Sequence, residues 1–207
     1  MLAVNVYSFG VQNEFLYVSV KYPPTEGKSN PERIMLVSND HGQNLQAVQL
    51  PNIAHDRFYA ILDAHESMIF LHVDEPQDTG YGTIFTSNSQ GKIFDRSLEH
   101  HLYPNTGDLT DFYKVDAFGA EGTYITSQLL PDKENAIETV ITYDKGARWW
   151  PITGDQVTGW KRVKDGGKEC SDDVCNLQIH NRFSMSKHVA IPKGPYGKFL
   201  IVEQYDD

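Results

Sequence analysis

Three short segments of this chain share one pattern, and their spacing restricts the folds open to it. Ser38-Asn39-Asp40-His41-Gly42-Gln43-Asn44-Leu45 runs hydroxyl, acid two on, glycine two further, then an apolar residue. Thr142-Tyr143-Asp144-Lys145-Gly146-Ala147-Arg148-Trp149 repeats it with an aromatic close. Ser87-Asn88-Ser89-Gln90-Gly91-Lys92-Ile93-Phe94 is a degraded copy in which Ser89 stands in for the acid. The pattern is that of an Asp-box hairpin. The aspartate accepts backbone N–H bonds in the turn, the glycine takes the positive φ that other residues resist, and the last side chain folds back as an apolar plug. One Ser-x-Asp-x-Gly would describe any β-turn. Glycines at 42, 91 and 146, at steps of 49 and 55, describe a repeat, and about 50 residues is one four-stranded blade of a propeller.

The residues between the boxes agree. Short runs rich in Val, Ile, Tyr, Phe and Thr, broken by Gly and Pro, suit a pleated, half-buried surface. Strands are predicted at 15–20, 34–38, 58–63, 68–73, 83–87, 111–117, 122–129, 139–143 and 199–204. The one helical hint is 97–103, where Leu98 and Leu102 stand four apart, enough for about one or two turns. The fold class is therefore all-β, a partial β-propeller. The 207 residues hold about four blades, read as a single incomplete domain with a loop-rich stretch at 151–176. The spacing is irregular and neither end offers a closing strand, so an arc of a larger propeller is expected.

Charge removes several functions. Asp and Glu total 28 against 18 Lys and Arg, a formal charge of −10. No basic patch meets phosphates, which argues against nucleic acid as a partner, and the balance argues against adhesion to anionic lipid. No apolar run approaches the roughly 18 residues that span a bilayer, so no direct membrane contact is expected of this segment. The start, Met1-Leu2-Ala3-Val4-Asn5-Val6, lacks the features of a signal peptide. His72, Asp74, Glu75 and Asp78, and the pair His100-His101, lack metal-ligand spacing on one element, so no metal and no cofactor are expected. Gly80-Tyr81-Gly82 reads as a hairpin turn. Cys170 and Cys175 form neither a redox Cys-x-x-Cys nor a zinc set; a small-loop disulfide in an oxidising compartment and two free thiols both remain open on spacing alone. No Asn-x-Ser/Thr acceptor is present: Asn88-Ser89-Gln90 and Asn105-Thr106-Gly107 both miss.

An Asp-box glycosidase, sialidase-like, is the rival from the enzyme class. It needs an arginine triad and a tyrosine with an acid partner. Arg33, Arg57, Arg96, Arg148, Arg162 and Arg182 are all the arginines there are. Glu32-Arg33-Ile34-Met35 is similar to the sialidase Arg-Ile-Pro signature but has Met in place of Pro. Nothing in the sequence makes the catalytic groups converge, so no enzyme is expected. A cytosolic protein-interaction propeller is the third reading.

Several stretches carry a resemblance. These are Phe70-Leu71-His72-Val73-Asp74-Glu75-Pro76, then Asp78-Thr79-Gly80-Tyr81-Gly82-Thr83-Ile84-Phe85-Thr86-Ser87, with Tyr7-Ser8-Phe9-Gly10, Phe58-Tyr59-Ala60-Ile61-Leu62, Ser97–Tyr103, Gly122–Ser127 and Val140–Trp149. In this order, from about residue 5 to residue 184, the chain resembles the sortilin-type, vacuolar-protein-sorting receptor family, though Phe199–Asp207 does not look like its continuation. The resemblance implies the middle of a luminal ten-bladed propeller. Receptors of that family are membrane proteins that carry peptide and protein ligands, such as neurotensin-like C-termini, propeptides, neurotrophin precursors and lysosomal cargo. They work between Golgi, cell surface and endosomes, with the propeller on the lumenal or extracellular side. On that resemblance, the family's signal and pro-segment, remaining blades, Cys-rich modules, membrane helix and cytosolic tail are expected to lie outside these 207 residues. A disulfide between Cys170 and Cys175 is what the resemblance implies. It also implies ligand release on acidification, with His72, His100 and His101 as candidate sensors.

The resemblance further places a ligand pocket. Arg33 takes the position of an arginine that clamps the free C-terminal carboxylate of a peptide. Met35 lies two residues on and so on the same strand face, and Ser19, Tyr59 and Ile61 match other pocket positions. Ala60 departs where the family can offer a hydroxyl. A preceding blade would supply part of the wall, so weak binding is expected of this chain. Blade faces left without neighbours predict self-association.

Overall fold

The computed structural model describes residues 5–22, 32–51, 59–75, 80–103, 112–115, 119–130 and 137–152, with the backbone of four short strands after residue 177. β1 (Asn5–Gln12), β2 (Phe15–Tyr22), β3 (Glu32–Ser38) and β4 (Gln46–Ala47) form an antiparallel sheet in chain order. β5 (Tyr59–Asp63), β6 (Phe70–Asp74), β7 (Tyr81–Ser87) and β8 (Phe94–Leu102) follow one another in the same way. β9 (Phe112–Lys114), β10 (Tyr124–Leu129), β11 (Ile137–Thr142) and β12 (Trp150–Pro151) are a third meander. In each, the Asp-box segment joins the third strand to the fourth. β13 (Gln178–Ile179) pairs with β16 (Val202–Glu203), and β14 (Lys193–Gly194) with β15 (Gly197–Lys198). The all-β, partial-propeller expectation holds, with three of the four expected blades formed by Pro151. The cysteine pair lies outside the described residues.

The chain divides into two compact units, Met1–Glu99 and His100–Asp207. In the first, strand alternation sets the core. Cross-strand pairs Tyr17↔Val37 and Ser19↔Met35 put these four residues on one face of the first blade. Phe15, Tyr17, Met35 and Val37 pack from that face against Ile69, Leu71, Val73, Phe85 and Phe94 of the second blade. Full burial of such side chains contributes about 1.5–3 kcal/mol each. The opposite face of β1 leaves Val6, Phe9 and Val11 exposed, at 57%, 76% and 71%.

In the second unit, Phe112 packs on Tyr124 with ring centroids 5.5 Å apart, and buried His101 bonds Thr126 Oγ1 at 3.0 Å.

The expected helical turn at 97–103 is corrected: these residues belong to β8 and the coil just after it. A spacing of four also keeps two residues on one face of a strand, so the Leu98–Leu102 pair does not distinguish the two states. His100, at φ 57°, interrupts the strand where the two units meet in sequence.

Candidate functional site

The Asp-box turns are built alike at both well-formed copies. Ser38 Oγ accepts from Gly42 N at 2.9 Å and donates to Asp40 Oδ1 at 2.6 Å, while Asp40 Oδ1 accepts from Asn44 N at 2.9 Å. Thr142 Oγ1 and Asp144 repeat this with Gly146 N at 2.9 Å and Arg148 N at 2.9 Å. Both turns need two consecutive positive φ values, His41 60° with Gly42 82°, and Lys145 59° with Gly146 82°. The Ser38 and Asn44 hydrogen bonds hold the Asp40 carboxyl well down, at about 2. At Asp144 desolvation works upward, yet bonds from Arg148 N and Thr142 carry its pKa below the ordinary value.

The degraded copy works differently. Asn88, not Ser89, supplies the acceptor, its Oδ1 taking Lys92 N at 3.0 Å and Ile93 N at 3.2 Å. Ser87 Oγ meanwhile accepts from Ile69 N at 2.9 Å and donates to Asn88 O at 2.8 Å, tying the box to the start of β6. Gly91 takes φ 69°, and Phe94 is the buried plug, whereas Trp149 is half-buried. A carboxamide one position early, Ser87-Asn88, was the available sequence signal.

The five residues singled out for a ligand divide between the facing blades of the first unit. Ser19 and Met35 are cross-strand partners and both buried. Arg33 occupies the register position opposite Lys21, two residues before Met35 and on the same sheet face. Tyr59 and Ile61, alternate residues of β5, are half-buried and pack against the cluster that contains Met35. Ser19 is 6% exposed, and its hydroxyl has no hydrogen-bond partner. An orphaned buried hydroxyl is costly.

His72 and His101 are fully buried, which removes them from any exposed sensing role. His72 Nε2 lies 3.9 Å from Asp74 Oδ1, too far for a hydrogen bond, and burial lowers its pKa to about 3. Gly82 makes room for that ring: a Cβ there would sit 2.6 Å from His72 Cε1. At the other end of the blades, Asn13 Nδ2 donates to Ala64 O at 2.6 Å, and Gln12 Nε2 to Asp63 Oδ1 at 3.5 Å. His65 Nδ1 also bonds Asp63. The buried Tyr17 hydroxyl has its pKa raised by desolvation, then by the charges of Asp63 and Glu14. Among the described residues no cluster of His, Cys, Asp and Glu fits a metal ion. No helix among them is long and apolar enough to cross a membrane.

Comparison with known proteins gives the same picture over nearly the whole chain. The family model "Sortilin, neurotensin receptor 3" (Sortilin-Vps10) matches residues 2–198. Sortilin of Mus musculus is 40% identical over 194 residues, which is 94% of this chain and 22% of that protein. Sortilin of Danio rerio is 38% identical over 190 residues, covering 92% of this chain and 22% of the relative. Vacuolar protein sorting/targeting protein 10 of Ajellomyces capsulatus (strain H143) is 27% identical over 192 residues, 86% of this chain and 13% of its own length. The chain thus spans 22% of the length of the two sortilins it matches.

Proposed function

The chain belongs to the Sortilin-Vps10 family, and on that premise we propose that it is a ligand-binding segment of a sorting receptor, with no enzymatic role. Its ligands are peptides and proteins presented on the lumenal or extracellular side of Golgi, endosome and plasma membranes. The pocket reads a free C-terminal carboxylate. Arg33 meets the carboxylate as a two-pronged fork, while Met35 and Ile61 shelter an aliphatic terminal side chain beside Tyr59, and Ser19 offers its hydroxyl. The observation that carries this reading is that Arg33, Met35 and Ser19 share one face of the first blade by register, and that Met35 belongs to the apolar cluster against which Tyr59 and Ile61 pack.

Titrating the chain with a peptide ending in Ile-Leu, as free acid and as C-terminal amide, tests it. The acid binds more tightly, and Arg33→Ala removes the difference, on the order of the 1.5–3 kcal/mol typical of charged hydrogen bonds. Equal affinity of acid and amide for the unaltered chain overturns the assignment.

A further inference from the structure

The first strand of the second blade is tied down by a turn of the first blade. β5 stands at the end of its sheet, with β6 as its neighbour there. A strand at a sheet edge has no second ladder to fix it, so contacts from outside the sheet weigh more in where it lies. A register shift between Ile61 and Asp63 breaks the pairing with β6 just where β5 ends, and such a bulge bends a strand and re-aims its side chains. Beyond the shift the chain is held by the turn between β1 and β2. Asn13 Nδ2 donates to Ala64 O at 2.6 Å, and Gln12 Nε2 to Asp63 Oδ1 at 3.5 Å. Asn13 takes φ 52°, a left-handed value that asparagine adopts more readily than most residues. Ala64 is itself fully buried in the cluster that contains Phe15, Tyr17 and Met35, so it is pinned by its carbonyl and by its side chain. Tyr59 and Ile61 pack on that same cluster.

The geometry points to Asn13 as a positioning residue of the ligand pocket: its bond to Ala64 sets how closely Tyr59 and Ile61 approach Met35, and so which size of terminal side chain the pocket accepts. This rests on the pocket reading given above and adds to it a residue that touches no ligand. Ile61 lies roughly 10 Å along the strand from Ala64, at about 3.3 Å per residue, and is the last residue before the shift in pairing. Without the Asn13 bond the bent end of β5 is free to swing, and Ile61 moves with it. Protein interiors are close-packed, so displacements smaller than a methyl group alter the fit of an apolar wall. Apolar pockets separate side chains that differ by one methylene by about 10–200-fold, and that selectivity depends on walls held at a fixed distance. The residue assigned to the carboxylate stands on β3, which this bond does not reach.

The test uses the 207-residue chain and N-terminally labelled peptides that differ only at the C-terminus, followed by fluorescence anisotropy. They end in Leu, in Ala, or in Leu amide. Asn13→Gly removes the carboxamide and keeps the left-handed backbone accessible. It lowers the preference for Leu over Ala about fivefold, the scale of one neutral hydrogen bond, and leaves the preference for acid over amide as in the unaltered chain. Asn13→Asp keeps the side-chain shape without the donor and gives the same loss. Circular dichroism and urea unfolding establish that each variant is folded under the assay conditions. A bond with a merely structural role lowers all three affinities alike or leaves them all unchanged, and either result overturns the positioning role while the pocket reading stands. An unaltered chain that prefers the acid but not Leu over Ala has the same consequence. If the unaltered chain does not distinguish acid from amide, the pocket reading falls and this inference with it.

Discussion

The contact between the first two blades can be measured through a glycine that belongs to an Asp box. Gly91 is buried at φ 69°, and a Cβ added there would lie 2.7 Å from Ile69 Cδ1 and 2.9 Å from Phe15 Cε1. Gly91→Ala therefore has two costs. The left-handed backbone costs an L-residue about 1–2 kcal/mol, and a methyl forced into a packed core costs about 1–3 kcal/mol more. Gly42 is the matched control in the same unit. It holds the same place in its own box at φ 82°, is exposed, and its added Cβ meets only Leu16 Cδ2 at 3.2 Å, the end of a side chain that can turn aside. Gly42→Ala carries the backbone cost nearly alone. Urea unfolding followed by circular dichroism should place Gly91→Ala about 1–3 kcal/mol below Gly42→Ala, a large share of the roughly 5–15 kcal/mol of an ordinary domain. Replacing Phe15 by Leu in the Gly91→Ala background should return part of that difference, because the ring is one of the two groups in the way; such coupling is what contacting sites show. Equal destabilisation by the two alanines would mean that box and neighbouring blade are not packed as described.

Two further outcomes follow from buried and exposed groups. His72 has a folded-state pKa of about 3 against roughly 6.5 unfolded. Its contribution is thus complete above pH 6.5 and is lost as pH falls toward 3, amounting to about 2 kcal/mol between pH 7 and 5. Urea midpoints at these two pH values should fall further for the unaltered chain than for His72→Gln, and an equal fall in both would show that the imidazole titrates freely. Phe9, 76% exposed beside Val6 and Val11, makes the outer face of β1 adhesive. Sedimentation of the chain alone should show concentration-dependent association that Phe9→Glu reduces, whereas a strict monomer at high concentration would show that this face does not self-associate.

How much of this was legible in the residues depended on whether the signal was local. The box turns were, because Ser38, Asp40 and Gly42 meet within five residues and each has a turn-specific task. The interrupted strand β8 was not: its apolar residues Leu98 and Leu102 fit either period, and what decides between them is pairing to residues distant in sequence, such as His101 with Gln128. Strand β1 was missed for a related reason. A register shift between Val6 and Ser8 changes which residues share a face, so no clean alternation survives in the sequence. The role of Asn88 was hidden by reading the box position by position. The turn requires an acceptor within reach of the N–H four residues on, and Asn88 meets that requirement for Lys92 as Asp40 does for Asn44.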